Sequence, residues 1–191
     1  MNDMKPKLQQ LHNNLLELQK IMSEQSRETY NRFNPFYEDL FDWKQRGQDW
    51  CGENRNITIY NSAILIGDVE IGDNTWIGPN TALDGSGGLK IGKFCSISSG
   101  VQIVTHDTIR WSLSGGELAP EREAVEIGDY CFLGSNAVVT KGVKIGDSSV
   151  VGANSVVTKN VKPNSIVAGV PARVIGRVET KNGNINLKYN K

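Results

Sequence analysis

The chain has 191 residues, of which 38% are hydrophobic, with 21 Lys and Arg set against 21 Asp and Glu. That length carries one packed domain and a small appendage. The balance of charge supplies no global field for a nucleic acid or an anionic membrane, and no apolar run approaches the roughly 20 residues of a membrane span.

The opening MNDMKPKLQQ lacks the apolar core of a signal peptide, so a cytoplasmic protein is expected. Leu8, Leu11, Leu15, Leu18 and Met22 recur at steps of three or four, which predicts a helix over residues 1 to about 23 with one apolar face. His12 on that helix reads as a surface or packing histidine. An aromatic-rich stretch follows, including Tyr30, Phe36, Trp43 and Trp50, and predicts a shorter helix after Pro35. Together they form a helical segment over residues 1–52. Exposed aromatic faces are unfavourable, so this segment is expected to cap the next element or to pack on a neighbouring chain.

From Ile57 to Ile175 an aliphatic residue returns at every sixth position. Ile71, Ile77 and Leu83 keep that step, as do Ile91, Ile97 and Ile103, and then Ile127, Leu133, Val139, Ile145, Val151 and Val157. Neither a helix nor an ordinary strand generates this period. A hexapeptide repeat predicts a mainly β fold, a parallel β-helix over residues 53–178 in which the aliphatic residues point inward and stack coil on coil. Cys95 and Cys131 occupy repeat positions as small fillers. With Cys51 the cysteines are odd in number and share no metal-type spacing. Residues 179–191 read as a polar tail.

Where packing explains nearly every repeat residue, function is sought where the period breaks. Eight positions separate Leu83 from Ile91, and the surplus falls in Asp84-Gly85-Ser86-Gly87-Gly88, a glycine-rich bulge that lacks the lysine and the following helix of a phosphate loop. The second break is longer. After Ile103 the period stops and resumes only near Val125, and a loop of this length (104–125) in a tight solenoid is usually functional. It carries His106, Asp107, Arg110, Trp111, Glu117 and Glu121. His106 stands where the chain leaves the coil, and imidazole suits proton abstraction near neutral pH.

The repeat, the Thr105-His106-Asp107 break and the closing run from Ser165 through Gly169-Val170-Pro171-Ala172-Arg173 to Ile175 resemble the hexapeptide acyltransferases of the galactoside and maltose O-acetyltransferase type. They are also similar to the small acetyltransferases of surface-polysaccharide (O-antigen or capsule) synthesis. The resemblance implies a left-handed parallel β-helix, assembled as a homotrimer with active sites between subunits, and acetyl-CoA as co-substrate with no metal. It makes His106 the catalytic base, with an acceptor hydroxyl or amine attacking the thioester directly, and a backbone amide near Gly134-Ser135 the oxyanion donor. Phe132, Gly134, Ser135, Ala153, Thr158, Lys159 and Arg173 fall on positions that line the coenzyme channel; Phe132 stands where the galactoside-type enzymes carry a tryptophan. Asn80 and Asp84 lie near positions that bind sugar hydroxyls. In the loop, which differs from theirs, Asp107 is a further acceptor-binding candidate, Trp111 offers a face for stacking on a sugar, and Arg110 offers a partner for the phosphate of a nucleotide-linked sugar.

The expected activity is therefore acetyl transfer to a sugar or nucleotide-linked sugar. A non-catalytic trimeric solenoid scaffold and an antibiotic O-acetyltransferase are the alternatives. A zinc hydratase resembling the γ-type carbonic anhydrases needs three histidine ligands where the solenoid offers one.

Overall fold

The computed structural model describes residues 4–181 and 183–190. They form two units, Met1–Asp42 and Trp43–Lys191. In the first, α1 (Met4–Tyr30) runs beyond the predicted end near residue 23 and stops where Asn31 turns into the left-handed region, φ 51°, a conformation asparagine tolerates. Leu8, Leu11, Leu15 and Leu18 line its exposed face. A short helix, α2 (Phe36–Asp39), follows Pro35. One Asp39 carboxylate oxygen accepts the Ser26 hydroxyl at 2.6 Å and the Asn34 amide at 2.9 Å, which ties α2 to the last turns of α1.

The second unit begins with α3 (Trp43–Cys51), so the aromatic stretch forms two helices rather than one. It lies on the first coil of the solenoid. Trp43 stacks on Tyr60 with ring centroids 4.0 Å apart. Arg46 donates to the carbonyls of Asn61 and Ala63, and the Trp50 indole donates to Val69 O at 3.1 Å. Carbonyls that no preceding coil can pair are thereby satisfied, as a solenoid terminus requires. Gly47 makes the close approach possible: a Cβ there would lie 2.0 Å from Ile57 O.

The solenoid has three faces. Strands Thr58–Ile59, Trp76–Ile77, Ser96–Ile97, Phe132–Leu133, Val150–Val151 and Ser165–Gly169 pair in parallel along the first. The second takes the front halves of Ile64–Ile71 and Ala82–Ile91, then Gln102–Ile103, Val138–Val139 and Val156–Val157. The third takes the back halves of the same two long strands, then Val125–Ile127 and Lys144–Ile145. In each dipeptide strand the second residue points inward, so Ile77, Ile97, Leu133 and Val151 form one buried column and Leu83, Ile103, Val139 and Val157 another. Outward on the third face, Glu70 meets Lys90 at 3.5 Å and Glu126 meets Lys144 at 2.7 Å, cross-strand pairs of opposite charge.

Four coils turn from the first face to the second through a residue with positive φ, at Asn80, Gly100, Asn136 and Asn154. These turns stack, Asn136 N–H donating to Ser99 O and Asn154 N–H to Ser135 O, both at 2.9 Å. At another corner the left-handed positions are held by Phe94 and Tyr130, whose rings stack 5.5 Å apart.

The carboxyl-terminal segment differs from the expected polar tail. Strand Ala172–Lys181 folds back antiparallel on Ser165–Gly169, and Asn184–Tyr189 pairs with it in turn. The sequence held the signal: Asn-Gly is a dipeptide that favours hairpin turns, and Ile185, Leu187 and Tyr189 alternate behind it.

Replacing Gly47 with Ala is expected to push α3 off the first coil and to lower stability by about 1–3 kcal/mol, the usual range for overpacking. Thermal unfolding checks this, and an unchanged melting temperature would contradict the close packing.

Candidate active site

The two breaks in the period occupy one corner of successive coils. Strand Ala82–Ile91 pairs through its front with Gln102–Ile103 and through its back with Val125–Ile127, so the chain between those partners leaves the sheet directly beside the Asp84–Gly88 bulge. The bulge packs too tightly for side chains at two points: a Cβ on Gly85 would lie 2.1 Å from Asp68 O, and one on Gly87 would lie 2.5 Å from Thr105 O. Gly87 N–H donates to the Thr105 hydroxyl oxygen at 2.8 Å, fixing the bulge against the residue that precedes the histidine.

This arrangement turns Asp84 inward, to 6% exposure. One of its oxygens accepts the Ser86 backbone N–H at 2.9 Å; the other accepts the Thr105 N–H at 3.0 Å and the Thr105 hydroxyl at 3.2 Å. That second oxygen also lies 2.6 Å from His106 Nδ1. Burial pushes the Asp84 carboxyl up, but the N–H groups of Ser86 and Thr105 together with His106 outweigh it and hold the group well below the usual carboxylate range. An ionised carboxylate only accepts, so Nδ1 carries the imidazole proton and Nε2 is the nitrogen left to accept one. Ser86 Oγ lies 3.1 Å from the same Nδ1. The His106 side chain itself is 41% exposed.

Beyond the histidine, strand His106–Asp107 pairs antiparallel with Glu121–Arg122, and α4 (Ile109–Leu113) forms the loop's outer part. Asp107 accepts the Ile109 N–H at 3.0 Å and pairs with Lys141 at 3.4 Å; that N–H first, and then Lys141, hold its carboxyl below the ordinary value against the opposing effect of desolvation. Arg110 pairs with Glu121 at 2.8 Å. Trp111 is exposed.

The sequence-predicted residues separate into three groups. Asp84, expected to bind sugar hydroxyls, is drawn inside and faces His106. Asn80, expected beside it, lies across the second face in the turn column that also contains Ser135 and Ala153. Phe132 projects from the first face next to that column. Thr158 and Lys159 follow the second face two coils beyond His106, at the corresponding corner, and Arg173 lies on the carboxyl-terminal hairpin. Within one chain, therefore, the histidine and the Phe132–Ala153 group stand on opposite edges of the second face. Gly134 N–H donates to Val151 O at 2.8 Å and is thereby paired within the first face. Sequence reasoning missed Ser86, Thr105 and Lys141, none of which falls on a periodic position.

A groove of about 650 Å³ lined by Trp50, Arg55, Glu70, Asp73 and Lys93 opens along the third face, away from all of these residues. Among the described residues no group of three or more His, Cys, Asp or Glu side chains is placed to hold a metal ion.

Residues 124–159 match the family described as the hexapeptide repeat of succinyl-transferase. The chain resembles the hexapeptide-repeat acyltransferases. A comparison with curated proteins finds no match. Among solved structures, AntD from Bacillus cereus, an N-acyltransferase in complex with dTDP and 3-hydroxybutyryl-CoA, is 28% identical over 64% of this chain and 70% of its own, with a TM-score of 0.58. A mutant of AntD has been solved with dTDP-4-amino-4,6-dideoxyglucose and coenzyme A; it is 27% identical over the same shares, with a TM-score of 0.57. The hexapeptide-repeat acetyltransferase VCA0836 from Vibrio cholerae O1 biovar eltor, in complex with acetyl-CoA, is 28% identical over 62% of this chain and 72% of its own, TM-score 0.54. NeuO, a polySia-specific acetyltransferase, is 26% identical over 63% and 61%, TM-score 0.51.

Because the Asp84 carboxyl is depressed in the folded state, its contribution to stability is present above the unfolded value of about 3.9 and is lost as pH falls through the folded value. Asp84→Asn is expected to make thermal stability less sensitive to acidification between about pH 5 and pH 2. Equal losses in wild type and variant over that interval would contradict the assigned hydrogen bonds.

Proposed function

We propose that the chain is a CoA-dependent acyltransferase in which His106, oriented by Asp84, is the general base. The observation that carries this reading is the 2.6 Å pairing of the two residues at the stacked breaks of the repeat. It gives an otherwise regular solenoid one exposed imidazole with a fixed tautomer. The complexes of AntD and VCA0836 with coenzyme A and its thioesters support the donor class.

In the proposed reaction Nε2 of His106 removes the proton from an acceptor hydroxyl or amine as that atom attacks the thioester carbonyl. The imidazolium is stabilised by the Asp84 carboxylate. Collapse of the tetrahedral intermediate breaks the C–S bond, and the imidazolium returns its proton to the departing coenzyme thiolate. Cys95 and Cys131 are buried in the coil, so no covalent acyl-enzyme is invoked. The Ser135 N–H is the proposed oxyanion donor, with Lys159 and Arg173 as cationic partners for the coenzyme phosphates.

The proposed assembly is a homotrimer, and this division of roles supports a site shared between copies. Residues on opposite edges of one face serve one reaction only if a second copy presents its Phe132–Ala153 edge to the first copy's His106, as closed cyclic symmetry permits. The acceptor is proposed to be a sugar or nucleotide-linked sugar, and the acyl group acetyl. AntD with an amino-sugar nucleotide and NeuO with its polySia specificity support that acceptor class. A role in surface polysaccharide synthesis and a cytoplasmic location complete the reading; no helix among the described residues is long and apolar enough to cross a membrane.

Thiol release from acetyl-CoA, measured against free sugars, sugar nucleotides and amino-sugar nucleotides, tests the proposal. His106→Ala is expected to reduce the rate about 10²–10⁴-fold for a hydroxyl acceptor and less for an amine, which needs less help from a base. An undiminished rate with a hydroxyl acceptor would remove His106 from the reaction.

A further inference from the structure

One side chain ties both limbs of the loop that carries His106 to the coil. Lys141, one coil beyond the histidine, is 16% exposed, and its ammonium lies 2.7 Å from Glu121, 3.1 Å from Glu123 and 3.4 Å from Asp107. Asp107 directly follows His106 on the outgoing limb of the loop, whereas Glu121 and Glu123 belong to the returning limb. Backbone bonds run alongside: Glu123 N–H donates to Thr105 O at 2.9 Å and Gly142 N–H to Glu123 O at 3.3 Å. A Cβ on Gly142, which sits at φ 75°, would meet a Glu123 carboxylate oxygen at 2.4 Å. The returning limb is thus seated on the Lys141-Gly142 turn.

We infer that Lys141 is a positioning residue for His106, pinning both limbs of the loop to the rigid coil and neutralising the three carboxylates that flank the His106–Arg122 pair along the ladder. Three carboxylates share this one ammonium, and among the described residues only Glu121 pairs with a second cation, Arg110. The hydrogen bonds it donates to Glu121 and Glu123 hold the ammonium well above the ordinary lysine value, so it stays charged wherever a histidine titrates. The charged groups on the elements next to His106 are Asp84 on the coil before it, Asp107 on its own strand, Arg122 opposite it in the antiparallel pair, Glu121 and Glu123 on either side of Arg122, and Lys141, which pairs with both. Removing the ammonium leaves Asp107, Glu121 and Glu123 in excess. Their field favours the imidazolium, and a protonated histidine cannot act as a base.

The consequence for turnover rests on the acyltransferase reading; the consequence for the imidazole does not. The test therefore uses both readouts, in a His12→Gln background so that His106 gives the single histidine signal. By NMR titration, Lys141→Met is expected to raise the His106 midpoint by about half a pH unit or more, and Lys141→Arg to restore it. Glu123→Gln keeps the ammonium, and it is expected to move the midpoint the other way. In thiol release, the acid limb of kcat/KM for Lys141→Met should move upward with the midpoint, and kcat near pH 7 should fall about tenfold with KM for acetyl-CoA little changed. Lys144→Met, which breaks the ion pair with Glu126 on the third face, should leave all of these as in wild type. A Lys141→Met protein that only melts at lower temperature, with wild-type titration and pH profile, would overturn the inference. If Lys141→Met does not fold, an unmoved midpoint in Glu123→Gln would overturn it equally. Absence of thiol release by wild type with every acceptor would remove the acyltransferase reading, while the titrations would still decide the role of Lys141.

Discussion

A hydrogen bond between a buried carboxylate and a half-exposed imidazole organises the site, and it exists because of how coils stack. Asp84 and His106 are 22 residues apart, and they lie just beyond Leu83 and Ile103, which pair on adjacent coils. In a solenoid the residues above and below a corner are set by register, so two interruptions on successive coils meet only if each occurs at the same corner. Here both do. The bulge supplies Asp84, Ser86 and a backbone N–H for Thr105, and the long loop supplies the histidine. Gly87 lets the two run within backbone contact, and Gly85 lets the bulge lie against Asp68 of the preceding strand.

The remainder of the chain keeps that corner rigid. Columns of aliphatic residues bury one coil on the next, and stability in such a stack is a sum of neighbour interfaces. Its ends are the weak points. At the amino-terminal end α3 closes the first coil through Arg46, Trp43 and Trp50; at the other end the hairpin from Ala172 to Tyr189 extends the first face by two antiparallel strands. The loop itself contains little regular structure and depends on Lys141 and on the short ladder opposite His106.

Much of this was legible in the sequence, for a physical reason: a period of six is written directly in the inward-facing residues, and a period break marks where the chain leaves the coil. His106 was found that way. The partner of His106 was not, because the period gives the corner on which Asp84 lies but not whether its side chain turns in or out. Asn80 and Asp84 look like neighbours four positions apart, yet a strand of the second face separates them, and they sit on different corners. Arg110 and Asp107 looked available for a ligand because sequence cannot show that Glu121, from the far limb of the loop, lies beside Arg110 and that Lys141 lies beside Asp107. Lys141 belongs to an ordinary turn and had no local signature at all.

The most direct test of the account is a crystal structure of the chain with coenzyme A and an acceptor bound. The account predicts the acceptor nucleophile within about 3.2 Å of His106 Nε2, with the coenzyme thiol beside it and Asp84 still on Nδ1. Coenzyme bound elsewhere, for example in the groove lined by Trp50, Arg55 and Lys93, with no acceptor near the imidazole, would contradict it.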